Sequence, residues 1–191
     1  MSGDDEAGNP GAEAAAARPR QPGDWRRWLV TFGGSGMSPV APGTMGSLAA
    51  TVLLGVIVYG LNRAGHRPVA SDPAWIGILI LGILVFGAMC VTLGRWTHEY
   101  YGRKDPGSCV LDEAAGICLT ALLVPIHPTG TGYWTLLGVF VAFRVFDILK
   151  IPPVKQLEKL PGGWGILVDD LAAAVYANVV CQILFRLVVT A

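Results

Sequence analysis

Two acidic pairs occupy similar settings in an otherwise apolar chain: Asp112-Glu113 within VLDEAAG and Asp169-Asp170 within LVDDLAA. Small residues follow each pair, and small residues let helix backbones approach closely in a membrane bundle. Close approach would bring four carboxylates together, where they repel one another. A hard divalent cation removes that repulsion, because Mg²⁺ takes oxygen ligands and keeps waters that a substrate can replace. The pairs therefore predict a metal-dependent catalytic site built from Asp112, Glu113, Asp169 and Asp170. The structural alternative is a set of interfacial acids paired with nearby Lys or Arg, which a single pair would favour. Two pairs favour the metal, since ionisable residues in membrane segments are usually functional.

Arg144, Asp147 and Lys150 follow one another at intervals of three, so neighbours in the series share a helix face. Two roles are open to them. They can neutralise buried charge as ion pairs, or Arg144 and Lys150 can grip a phosphate with Asp147 positioning them; the phosphate role is the expectation for Lys150, because Arg144 is already placed to pair with Asp147 on the same face. Arg offers a planar fork suited to phosphate oxygens, and Lys a mobile point charge. Upstream, the stretch from Gly33 to Leu48, GGSGMSPVAPGTMGSL, is dense in Gly, Ser, Thr and Pro just before an apolar run. Backbone N–H groups at a helix start attract anions, which makes Ser38, Thr44 and Ser47 candidate cap or phosphate ligands. No Gly-Lys-Ser/Thr follows, so this is not a Walker A loop. A bare Gly-rich loop equally suits a flexible lead into a capped helix.

Other polar residues read more simply. His98 and Glu99 in WTHEYYG form an interfacial polar pair without the second ligand spacing of a zinc site. Trp96, Tyr100 and Tyr101 beside them suit an interfacial aromatic belt. The four cysteines, Cys90, Cys109, Cys118 and Cys181, show no metal or redox spacing. Cys90, Cys118 and Cys181 lie in apolar runs and read as small buried hydrophobes.

The elements that must carry these residues are membrane helices. Only 15% of the 191 residues are charged and 52% are apolar, against about 25% charged in an ordinary soluble domain. Mean hydropathy is +0.50. Trp75 to Gly94 is uncharged over its whole length, and a helix needs roughly 20 apolar residues to cross hydrocarbon. Met45 to Leu61 is also uncharged. Val110–Ile126, Tyr133–Ile151 and Gly165–Val189 are apolar segments with acids or bases near one end. The expectation is an all-α, polytopic membrane bundle of about five principal helices, with the Gly/Ser/Pro-rich loop before the first. Residues 25–191 form its single domain. Met1 to Asp24 is rich in Ala, Gly, Pro and charge, lacks a signal-peptide apolar run, and reads as a disordered tail. Formal net charge is zero, so no pull toward nucleic acid is implied.

Basic residues orient the bundle. Arg18, Arg20, Arg26 and Arg27 precede the first helix, and Arg63 and Arg67 follow it. Arg95, Arg103 and Lys104 follow the second. No Lys or Arg lies between His127 and Gly132, whereas Lys150, Lys155 and Lys159 surround the turn before the last helix. This alternation places the N-terminus in the cytoplasm by the positive-inside rule. Asp112-Glu113, Arg144-Asp147-Lys150, Asp169-Asp170 and the Gly33–Thr44 loop then all reach the cytoplasmic face.

Three blocks in this order, GSGMSPVAPGTMGSL, DPGSCVLDEAAG and FRVFDILKIPPVKQLEKLPGGWGILVDDLAAAVYA, closely resemble the phosphatidylglycerophosphatase A family. The resemblance runs from about Phe32 to Ala177. It implies an all-α membrane enzyme of bacterial glycerophospholipid synthesis that hydrolyses phosphatidylglycerophosphate to phosphatidylglycerol and inorganic phosphate with Mg²⁺. It implies that Asp112, Glu113, Asp169 and Asp170 are the acidic motif residues, and that Arg144, Asp147 and Lys150 are the Arg-x-x-Asp-x-x-Lys block. The family often has Lys-Pro at the end of that block; here Ile151 separates Lys150 from Pro152.

The sequence has no Cys-x5-Arg loop and no Asp-x-Asp-x-Thr motif, so direct attack by water is expected rather than a covalent phosphoenzyme. A small transporter or channel using intramembrane carboxylates is the competing class, and predicts acids spread through membrane depth. A structural membrane subunit would not need two acidic pairs.

Overall fold

The computed structural model describes residues 24–66, 69–102, 106–126, 131–152, 154–157 and 163–190. The helices are α1 (Trp25–Val30), α2 (Pro42–Arg63), α3 (Pro73–Tyr101), α4 (Leu111–Ala121), α5 (Thr131–Leu149), α6 (Val154–Leu157) and α7 (Gly163–Thr190), with a 3₁₀ turn at Ser35–Met37. Among the described residues there is no strand. The five expected principal helices are α2, α3, α4, α5 and α7. Their starts are set by ordinary chemistry. Asp72 accepts hydrogen bonds from the N–H groups of Ala74 and Trp75 at 2.8 and 3.3 Å, and Pro73 supplies the first helical residue, where its missing N–H costs nothing. Asp24 caps α1 through the N–H of Arg26. The rest of the expected tail lies outside the described residues, as do Arg67, Arg103, Lys104, Lys159 and residues 127–130.

Among the described residues, four helices are long and apolar enough to cross a membrane: Pro42–Arg63, Pro73–Tyr101, Gly132–Leu149 and Gly163–Leu187. The chain is a multi-pass membrane protein. α3 turns Ile80, Leu81, Leu84 and Val85 outward, an apolar face that only lipid accepts cheaply. α7 is the most enclosed of the four.

The remaining principal helix, α4, behaves differently. The apolar segment Val110–Ile126 is not one helix: α4 ends at Ala121, and Leu123 adopts φ +59°. Its 11 residues reach about 16 Å at 1.5 Å per residue, half of a hydrocarbon core of about 30 Å. Every α4 residue except Leu119 is buried, so protein surrounds it. A helix that stops at membrane depth exposes carbonyls that water cannot reach. Asn178 on α7 supplies the donors, its Nδ2 reaching the carbonyls of Leu119, Thr120 and Leu122 at 3.3, 2.9 and 2.7 Å. Gln182 donates to Asn178 Oδ1, and Arg186 donates to Gln182 Oε1 and to the Leu123 carbonyl. These three polar residues, spaced at i, i+4 and i+8, form a stripe that closes the broken end.

Glycine brings the site-bearing ends together. A Cβ on Gly94 would stand 2.8 Å from Gly163 Cα, so α3 and α7 cross backbone against backbone. That crossing sets where α7 begins, and Asp169 and Asp170 lie two turns beyond it. α4 packs chiefly between α3 and α7.

Candidate active site

The starts of α2, α4 and α7 and the end of α5 meet at one end of the bundle. Asp112 and Glu113 occupy the first turn of α4, and Asp170 comes from α7. One carboxylate oxygen from each of these three lies within 4.8 Å of the other two. All three residues are buried, at 6%, 9% and 6% exposure. Glu113 is within side-chain hydrogen-bond reach of Asp112, and Asp147 within that of Asp170. Glu113 Oε2 and Asp170 Oδ2 are buried oxygens with no hydrogen-bond partner among the described residues. A buried acceptor left unsatisfied costs about 1–3 kcal/mol, more when charged. A hard cation would satisfy both atoms, and an all-oxygen donor set suits Mg²⁺.

The basic block resolves into two different pairs. Arg144 donates through Nη1 to Asp147 Oδ2, the i,i+3 pairing that spacing predicts. Lys150 reaches a different acid from the Asp147 that the even spacing offered. It stands 3.0 Å from Asp169 Oδ2 across the α5–α7 gap. α5 ends at Leu149, and Lys150 takes a positive φ of 42°, which carries its side chain off the face that Arg144 and Asp147 share. Asp169 therefore contacts Lys150, while Asp170 enters the cluster. Of the four predicted carboxylates, three converge and the fourth is held by a lysine.

The Gly-rich loop reaches the site at one point. A Cβ on Gly43 would stand 2.5 Å from Glu113 Oε1 and 3.4 Å from Arg144 Nη1. A side chain at this position would push aside the Glu113 and Arg144 tips that lie against the start of α2. Thr44, half-buried, is the next residue. Arg144 Nε is buried and has no hydrogen-bond partner among the described residues. Ser38 and Ser47 are occupied elsewhere. Ser38 closes a local turn with Val40 through both its donor and its acceptor, and Ser47 donates to the Gly43 carbonyl at 2.8 Å. His98 and Glu99 are exposed, with Glu99 paired to Arg95, as an interfacial polar pair requires. Sequence reasoning missed the approach of Cys90 and Cys109 to Asp112, because 18 intervening residues separate the two cysteines and no local spacing signals it.

An all-helical, multi-pass membrane protein with buried carboxylates and an arginine gathered at one bundle end is built as a membrane-embedded enzyme rather than a conduit. Acids lining a conduit would be spread along its depth. The model of the phosphatidylglycerophosphatase A family matches residues 28–185. The chain is 38% identical to a phosphatidylglycerophosphatase A of Haemophilus influenzae, over 77% of this chain and 80% of that one. It is 32% identical to that of Escherichia coli, over 85% and 84%. It is also 31% identical, over 78% and 87%, to a protein of Bacteroides thetaiotaomicron provisionally named a phosphatidylinositol-3-phosphatase. The chain belongs to the phosphatidylglycerophosphatase A family and is a phosphatase. No solved structure matches it.

Proposed function

We propose that this chain hydrolyses the phosphomonoester of phosphatidylglycerophosphate, releasing phosphatidylglycerol and inorganic phosphate, in bacterial glycerophospholipid synthesis. The observation that carries this reading is the meeting of three buried carboxylates, Asp112, Glu113 and Asp170, with Arg144 and the Gly43 turn at one end of a membrane bundle. A lipid phosphatase needs its reactive corner at such an end, because the acyl chains stay in hydrocarbon while the phosphate stays near water.

Asp112, Glu113 and Asp170 would hold Mg²⁺, which when bound supplies neutralisation of phosphoryl charge and activation of water. Arg144 meets the phosphate with the N–H groups that Asp147 leaves available, and Asp147 fixes the guanidinium plane. Thr44 and the α2 start add neutral donors for the remaining oxygens. Lys150 holds Asp169, and through it the first turns of α7, so that Asp170 stays aimed at α4. A carboxylate oxygen of the cluster left off the ion takes the proton of the attacking water. The phosphoryl group passes directly to that water. In this reading that end of the bundle faces the cytoplasm at the inner membrane, which the basic residues flanking the helices favour.

Phosphate release by the detergent-solubilised chain tests the reading. The expected outcome is release from phosphatidylglycerophosphate with Mg²⁺ and loss of release on chelation. Equal or faster release from phosphatidylinositol 3-phosphate would move the headgroup assignment toward the Bacteroides relative. No release from either lipid would overturn the reading.

A further inference from the structure

Beside the acidic cluster lies a pair of thiols that the phosphatase chemistry does not use. Cys90 comes from the inner face of α3 and Cys109 from the segment just before α4. They are 1% and 3% exposed and lie within side-chain hydrogen-bond reach of each other, while Cys90 Sγ also approaches the Gly163 carbonyl at 4.0 Å. Both sulfurs and a carboxylate oxygen of Asp112 lie within 4.8 Å of one another. The other two cysteines differ. Cys118 packs under Gly82 in the apolar core, and Cys181 lies in the same core with its Sγ 4.0 Å from the Gly138 carbonyl.

Sulfur ligands sit about 2.3 Å from zinc, so two ligands of one tetrahedral ion are about 3.8 Å apart. The three atoms are already within about an ångström of that spacing. Two thiolates select zinc-like ions over Mg²⁺ or Ca²⁺. We propose that Cys90, Cys109 and Asp112 form a binding site for a thiophilic divalent cation of the zinc type, which shares Asp112 with the acidic cluster. Both thiols lose their protons to solvent as the ion binds, and the fourth ligand position takes water. One consequence rests on the proposed phosphatase reading: an ion in this site draws Asp112 away from the cluster and inhibits phosphate release.

The test uses the full chain in detergent under a phosphine reductant, with Co²⁺ as the spectroscopic substitute for Zn²⁺. One equivalent per chain should give thiolate-to-cobalt charge-transfer absorption that Zn²⁺ abolishes and Mg²⁺ does not. Cys109→Ala should remove the band and Cys118→Ala should keep it. Asp112→Asn should weaken cobalt binding about 10- to 100-fold, at least the effect of losing an outer-shell partner. Zinc-edge X-ray absorption of the unmutated chain needs no variant, and should show two sulfurs around the metal. A band that survives Cys109→Ala, or a zinc shell without sulfur, overturns the site. In phosphate release, Zn²⁺ should inhibit the unmutated chain at concentrations about tenfold lower than it does Cys109→Ala. Sulfur ligation in a chain that releases no phosphate leaves the metal site standing and removes the phosphatase reading. Sulfur ligation with undiminished phosphate release overturns the sharing of Asp112.

Discussion

Asp112-Glu113 and Asp169-Asp170 look alike as dipeptides, yet the bundle uses them differently. On α4 both acids enter the cluster. On α7 only Asp170 does, and Asp169 turns to Lys150 at 3.0 Å. Neighbouring residues on a helix project about 100° apart, because 3.6 residues complete a turn. A pair of adjacent carboxylates on a helix interior therefore divides between two surfaces unless protein encloses both. α4 is so enclosed: it is short, its first turn is buried, and the longer Glu113 side chain can reach back to Asp112. α7 runs past α5 on one side and α4 on the other, so its two acids meet different partners. Chemical likeness in sequence did not make the two pairs equivalent, and the comparison separates cluster residues from residues that aim them.

The largest expected effect tests the cluster itself. Asp170→Asn and Glu113→Gln keep shape and remove charge. Each should lower phosphate release by about two to three orders of magnitude, the scale of losing one group that stabilises the transition state, with little change in the thermal unfolding midpoint. Asp170→Asn with ordinary activity would move Asp170 out of the cluster and break the comparison.

Gly43→Ala comes next. The added methyl would press on Glu113 Oε1, and a displacement of an ångström at a reacting centre can cost about a hundredfold. Activity should fall by about that factor while the protein stays folded. Equal activity in Gly43→Ala would remove the α2 start from the site.

Lys150→Met sharpens the contrast on the other side. It leaves Asp169 buried without its cation. The expected cost is about 3 kcal/mol, at the low end for a buried pair, because the Lys150 side chain is 33% exposed. Adding Asp169→Leu should restore most of that stability, read by denaturant or thermal unfolding. Release by Lys150→Met should fall only about tenfold, as expected of a residue that acts through another. A stable Lys150→Met chain as inactive as Asp170→Asn would instead place Lys150 on the phosphate.

The smallest effect concerns the broken end of α4. Asn178→Ala strands carbonyls at membrane depth, and each unsatisfied buried group costs about 1–3 kcal/mol. Stability should fall while phosphate release per folded molecule is kept, because Asn178 touches the end of α4 remote from Asp112.

The sequence by itself determined the helical membrane character, the spans of α2 and α3, and the kinship carried by three motif blocks. Uncharged runs and motif order are local properties, readable without knowing what packs against them. It also showed that the acids, the Arg144–Lys150 block and the Gly-rich loop share one end, because short connections and alternating charge constrain direction. The Arg144–Asp147 pair was legible because three residues along a helix restore the same face. Only the tertiary structure decided that Lys150 takes Asp169, that α4 stops halfway and is capped by Asn178, and that Cys90 and Cys109 stand beside Asp112. Each of these depends on the rotation of one helix about its axis relative to another, and on backbone crossings such as Gly94 against Gly163. Those are contacts between distant parts of the chain, settled when all the helices pack at once.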